Sequence, residues 1–232
     1  MPRLKPETQA ARRTNILDAA ERCFARAGFH ATTMNDICSE AEVSAGGLYT
    51  YFESKEGLIA GLCERERAQL AHDLSNIAQA PDLIEALARL GQHYFLEEPR
   101  YKRVMLVEIG VESTRNEKVA EVFLQTDRFC LEAFQSLFSR AAAEGKIAPQ
   151  LDLKTLSHVF ATIGDGIMWR RAVDPTFDGP TVFPVLVGIL SDMLIPVPRP
   201  AVTPGVIKPA VTLAVAPAVV LAAATQEPEV LP

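Results

Sequence analysis

Thr33–Lys55, TMNDICSEAEVSAGGLYTYFESK, decides how the chain folds. Thr32 or Thr33 can cap a helix whose apolar residues Ile37, Cys38 and Ala41 recur at helical spacing. Asp36, three or four positions on, completes an approximate capping box. Ser44 caps a second short helix, which opens Ser44-Ala45-Gly46-Gly47, and Ser54 caps the helix after it. Leu48 and Phe52, four apart, face inward onto Ile37, Ala41 and Val43. The spacing therefore predicts two short helices crossing at a tight turn, the second exposing small and tyrosyl side chains. That pattern is a helix-turn-helix.

Outward from this stretch, the rest reads as helix. Upstream, Ile16, Ala19, Ala20, Cys23, Phe24 and Ala27 define a helix over residues 8–27, stopped by Gly28. Downstream, Leu58, Ile59, Leu62, Cys63, Leu70, Leu74 and Ile77 define one over 55–78, which at 1.5 Å per residue spans roughly 35 Å. Past Pro81, helices are expected at 82–97, 100–113, 116–145, 152–173 and 181–195, with Pro184 in the first turn of the last. No segment alternates with a period of two, so the expected class is all-α. Residues 1–54 are expected to form an N-terminal arm and a helix-turn-helix domain, and 55–195 a larger helical domain, with 55–78 as the helix that connects them. Half of the sixteen prolines fall in 196–232, which predicts an extended, disordered tail. That tail is either an untethered extension or a segment that binds a partner or grazes a membrane.

Acidic residues outnumber basic ones by 29 to 23, a net charge of −6, which argues against a protein that coats nucleic acid by bulk charge. Contact through one small face remains open. The opening residues are polar, so no secretory leader is expected. No apolar run reaches the roughly 18–20 residues of a bilayer span, and the longest, Ala210–Ala224, is interrupted by Pro217. A cytoplasmic location with no stable membrane association follows as the expectation. Cys23, Cys38, Cys63 and Cys130 lack the paired spacing of zinc or redox motifs and sit in apolar helical patterns, where cysteine packs as a small hydrophobe. The four histidines form no HExxH, and Gly164-Asp165-Gly166 lies inside a helix pattern rather than at a nucleophile elbow. No catalytic residue, metal or cofactor is expected.

A major groove about 12 Å wide admits one helix if its leading residues come close to the bases. Ser44, Ala45 and Gly46 permit that approach, and two glycines in a helix, each costing about 1 kcal/mol against alanine, need such a compensation. Thr33, Tyr51 and Lys55 are assigned to phosphates; Ala45, Gly46, Tyr49 and Thr50 are assigned to the groove floor. Arg3, Lys5, Arg12 and Arg13 form a basic arm that either reaches a neighbouring minor groove or is simply solvated. Ordinary packing of a short helix pair with an aromatic face predicts several of the same residue types.

The order of residues resembles the TetR (tetracycline-repressor) family of bacterial transcription factors. Thr33, Ile37, Ala41, Val43, Ser44, Gly46, Tyr49, Tyr51, Phe52 and Lys55 all fall in register with that family's pattern. Ile16–Ala20 and Phe24–Phe29 resemble its first helix, so the likeness covers about residues 12–60. Two positions depart from it: Cys38 stands where alanine is usual, and Glu42 replaces the turn glycine, which puts a side chain into a left-handed turn at roughly 1 kcal/mol.

The resemblance implies a dimeric, ligand-responsive repressor on a palindromic double-stranded DNA operator. It implies a homodimer sealed by the last two helices, here through Phe160, Ile163, Ile167, Leu186, Ile189, Leu190 and Met193. It also implies a small apolar effector held by the middle helices. Tyr101, Met105, Phe123, Met168 and Trp169 are candidates for that pocket, although a plain packed core predicts them too. Glu108, if interior, calls for a cationic or donor-rich ligand; otherwise it is a solvated edge or pairs with Arg100 or Arg103. A regulator of the same fold that activates, or that answers to a protein through the tail, is the other reading.

Overall fold

The computed structural model describes residues 6–195; the expectations for Arg3, Lys5 and the 196–232 tail lie outside them. Every element among the described residues is helical. Helix α1 (Pro6–Ala31) buries Ile16, Ala19, Ala20, Cys23 and Phe24, and its regular course ends at Gly28, where φ is +78°. Thr32 turns back there, its hydroxyl donating to the carbonyl oxygens of Gly28 at 2.7 Å and Cys23 at 3.1 Å.

Helix α2 (Met34–Ala41) starts at the Thr33–Asp36 capping box and ends on Glu42, which adopts the left-handed conformation (φ 54°, ψ 40°) expected of the residue in the glycine's place. Helix α3 (Ala45–Tyr49) is capped by Ser44, whose Oγ accepts from Gly47 N at 3.1 Å. It is a single turn and a half, shorter than a run to Phe52, and the amides of Tyr51 and Phe52 both close onto Leu48 O. Ser54 then caps α4 (Lys55–Ala78).

Helix α5 (Leu83–Gly91) widens into a π-helical segment, Gln92–Glu97, before Pro99 opens α6 (Arg100–Glu112). Helices α7 (Glu117–Ala143), α8 (Leu153–Val173) and α9 (Gly179–Leu194) follow, capped by Asn116, Asp152 and Asp178. Helix α9 starts two residues earlier than 181, because Asp178 caps it and Pro180 occupies its first turn. Pro184 therefore sits inside the helix rather than in its first turn.

Two apolar cores result. The first joins α1–α3 to the start of α4, and it also takes in Met105 and Ile109 of α6 and Val119 of α7. The second gathers Leu74 and Ile77 of α4, Leu83 and Leu87 of α5, and Leu137, Phe138 and Ala141 of α7 with Leu156 and Leu194. Helices α4 and α7 run through both. At Gly61 of α4 a Cβ would stand 2.7 Å from the Phe52 ring and 3.0 Å from Leu17, so a bare backbone is what seats the helix-turn-helix against α1 and α4. No helix among the described residues is long and apolar enough to cross a membrane.

Candidate nucleic-acid interface and effector cavity

Ser44, Ala45, Gly46, Tyr49 and Thr50 form an exposed face on and around α3, with Tyr49 half exposed. A Cβ at Gly46 would meet nothing within 4 Å. Internal packing therefore does not require this glycine. Thr50 donates its hydroxyl to Gly46 O at 2.7 Å, leaving lone pairs free to accept. Thr33 is exposed and tied to Asp36 through both its amide (2.8 Å) and its hydroxyl (2.7 Å), which holds the Asp36 carboxyl below its ordinary range. Tyr51 is half-buried against the first core.

Lys55 departs from the sequence reading. Its Nζ donates to the carbonyl oxygens of Phe29 and His30 and sits over the Phe29 ring, 4.4 Å from the centroid. It clamps the broken end of α1 instead of standing free for a phosphate. Arg13 is likewise engaged, at 2.5 Å from Glu64 and over the Phe52 ring, whereas Arg12 has no partner among the described residues. Arg22 and Arg26 both reach Glu40, at 2.8 and 3.2 Å, and hold its carboxyl low. Cationic groups near the helix-turn-helix are thus largely matched, and the exposed α3 face is uncharged.

Behind this domain, a cavity of about 390 Å³ lies among α4, α5 and its π-helical end, α6, α7, α8 and α9. Met105, Phe123 and Met168 line it. Tyr101 and Trp169 do not: they are 38% and 50% exposed and stand on outer faces of α6 and α8. Helical spacing alone could not tell which side of α6 and α8 was inward.

Glu108 is also absent from the wall. Its Oε1 accepts from the Phe29 amide at 2.7 Å, so it caps the Gly28 break and has neither Arg100 nor Arg103 as partner. Those arginines bond instead to the carbonyls of Ala172 and Glu98. One turn on, Glu112 is fully buried and lies 2.9 Å from both His30 Nε2 and Arg115 Nε. Burial alone would raise its carboxyl, but hydrogen bonds from Arg115 and Asn116 and the neighbouring charges hold it below the ordinary range.

The expected dimer residues divide as well. Phe160, Ile163, Ile167, Leu186 and Leu190 line the cavity, Met193 packs on the second core, and Ile189 alone of the seven is strongly exposed. Also exposed are Trp169 and Val173 of α8 and Val185 of α9, and a Cβ at Gly166 or Gly188 would meet nothing within 4 Å.

Sequence reading missed Glu21. It lines the cavity, its side chain is 2% exposed, and burial pushes its carboxyl up against the pull of Arg65 and Lys102. The signal was present: Glu21 lies four residues after Leu17 and three before Phe24, inside the apolar stripe of α1. Cys63 and Cys130 also line the cavity, and burial raises both thiols, Cys130 to about 11, which suits packing rather than thiolate chemistry.

Residues 16–62, which span the capped helices and the α3 face just described, match the model of the bacterial regulatory proteins of the tetR family. Over these residues the chain carries the DNA-binding region characteristic of the TetR family. The curated relatives it matches are named as helix-turn-helix transcriptional regulators, not as enzymes. It is 28% identical over 172 residues to the HTH-type transcriptional regulator UidR of Escherichia coli K12, covering 72% of this chain and 85% of UidR. Among solved structures it is similar to Salmonella enterica GusR, at 26% identity and a TM-score of 0.68, over 82% of this chain and 97% of that one. The fold is also that of the regulator FadR from Bacillus subtilis in complex with stearoyl-CoA, at 20% identity and a TM-score of 0.65, over 76% and 96% of the two chains.

Proposed function

We propose that this regulator is a cytoplasmic homodimer that represses transcription from a palindromic operator and is released by a small effector bound in the cavity. The observation that carries the reading is the double role of α6. On one side Met105 and Ile109 line the cavity; on another Glu108 and Glu112 hold Phe29 and His30 at the end of α1, beside the clamp of Lys55. A ligand that moves α6 therefore moves the joint on which the helix-turn-helix rests. To lift repression a hundredfold, its affinities for the two arrangements must differ by about 2.7 kcal/mol.

DNA contact falls to Ser44, Ala45, Gly46, Tyr49 and Thr50 on the groove side, with Thr33 and Tyr51 toward the phosphates. Lys55 positions the domain. One helix-turn-helix grips too few bases for a useful specificity ratio, and the outward apolar face of Trp169, Val173, Val185 and Ile189 supplies a surface for a second copy. FadR of Bacillus subtilis, of the same fold, is known in complex with stearoyl-CoA, which supports a small-molecule effector for this chain too. The test is footprinting of the full chain on the DNA flanking its own gene. Protection of a two-fold symmetric site by a dimer bears the reading out; protection by a monomer, or of no site, overturns it.

A further inference from the structure

The wall of the cavity is mostly apolar, but its charges are unequal. Five carboxylates, Glu21, Glu66, Glu98, Asp127 and Asp165, stand against two cations, Arg67 and Lys102. Part of this is matched: Lys102 lies 2.9 Å from Glu98, and Arg65 reaches Glu21 Oε2 at 3.0 Å and Glu66 at 3.6 Å. What remains is Arg67 against Glu21 Oε1, Asp127 and Asp165, still an excess of negative charge. Glu21 is buried, and its Oε1 has no hydrogen-bond partner. Asp127 on α7 and Asp165 on α8 feel each other's charge, are reached by solvent, and form no ion pair or hydrogen bond among the described residues. A buried acceptor without a donor is costly and calls for one.

We infer that the effector is a protonated amine on an apolar body, its ammonium N–H donating to Oε1 of Glu21, with Asp127 and Asp165 drawing the cation into the cavity. This rests on the reading of the cavity as the effector site. A carboxylate ligand would meet an excess of like charge. A quaternary ammonium would satisfy the charge but carries no N–H for Oε1. The cavity's volume falls toward the lower end for small-molecule sites, and its apolar wall suits an alkyl or aryl body.

Titration calorimetry of the full chain with decylamine, decyltrimethylammonium and decanoate, one chain with three heads, tests this. The amine is expected to bind about tenfold more tightly than the quaternary ammonium, as a hydrogen bond to a charged group provides. Decanoate is expected to bind more weakly than either. Glu21→Gln should remove the preference for the amine over the quaternary ammonium. Asp127→Asn, on a wall that solvent reaches, leaves the fold intact and should weaken the amine by about fivefold, the upper range for an exposed charge pair.

Decanoate binding as tightly as the amine, an amine indifferent to Asp127→Asn, or no heat from any of the three overturns the inference. The same ligands in a DNA-release assay separate the two readings. An amine that binds without loosening DNA overturns the effector role of the cavity and keeps the ligand class. DNA release by decanoate with no amine binding does the reverse.

Discussion

Glu108 accepts a hydrogen bond from the amide of Phe29 at 2.7 Å, joining residues 79 positions apart in the chain. Around that bond, the carbonyl of the same Phe29 takes Lys55, and His30 takes Glu112. The end of α1 is therefore gripped from α4 on one side and α6 on the other. Replacing Glu108 by alanine leaves the Phe29 amide without its partner and should cost about 1.5–3 kcal/mol in urea unfolding. If α6 is the transmitting element, the variant also responds less to effector in a DNA-release titration. A Glu108→Ala protein with wild-type stability and full response removes this joint from the mechanism.

Gly46 and Gly61 are expected to behave oppositely when changed to alanine. At Gly46 the space is open, so alanine improves helix propensity by up to about 1 kcal/mol while its methyl stands between α3 and the groove. Thermal melting should rise slightly and operator affinity fall. At Gly61 the methyl meets the Phe52 ring, and overpacking of this kind costs about 1–3 kcal/mol, so the melting temperature should drop. A Gly46→Ala protein that binds its operator normally would show that close approach at this residue is not needed.

Tyr49→Ala and Lys55→Ala are both expected to keep the dimer and lose operator binding in footprinting, for different reasons. Tyr49 is half exposed and supports no core, so its loss should leave the melting temperature unchanged. Lys55 closes the carbonyls of Phe29 and His30, so its loss should also lower stability, by about 1–3 kcal/mol. Equal melting curves for the two variants would return Lys55 to a simple phosphate contact.

On the outward face, Ile189→Glu places a charge where a second copy would pack. Sedimentation should show monomers, and operator affinity should fall with the dimer. A dimeric Ile189→Glu protein locates the interface elsewhere.

Acid should weaken the fold through Glu112. Its carboxyl is held lower in the folded chain than in the unfolded one, so the folded state binds fewer protons as pH falls through the carboxylate range. The stability it contributes is whole above its unfolded pKa, about 4.3, and is lost as pH drops through the lower folded value. Glu112→Gln should therefore flatten the loss of stability below about pH 4. An unchanged acid profile would assign that loss to other carboxylates.

Much of the fold was legible because its boundaries are written in local chemistry. Thr33, Ser44 and Ser54 cap the helices that their hydroxyls promised, and Glu42 takes the left-handed turn. What escaped were relations between distant residues. Nothing near Lys55 announces that its amine will meet a carbonyl freed by a break at Gly28. Nothing in α6 says that Glu108 looks toward α1 rather than into the cavity. Phe160 through Leu190 supplied apolar residues on several sides of α8 and α9, and periodicity could not divide them between an interior wall and an outer seam. Glu21 was the readable exception, a carboxylate inside an otherwise apolar stripe.

Helix α4 buries Leu58–Cys63 in one core and Leu74 and Ile77 in the other, yet between them, from Glu64 to Asp73, no residue is fully buried. Glu66, Arg67 and Leu70 in that interval line the cavity. Leu70 also packs on the second core, but Glu66 and Arg67 belong to neither, and substitutions at those two should cost little stability. The part of α4 that lines the cavity thus holds positions free to change. On the proposed reading of the cavity, descendants of this chain can acquire a new inducer through a handful of mutations in one helix while inheriting the fold intact.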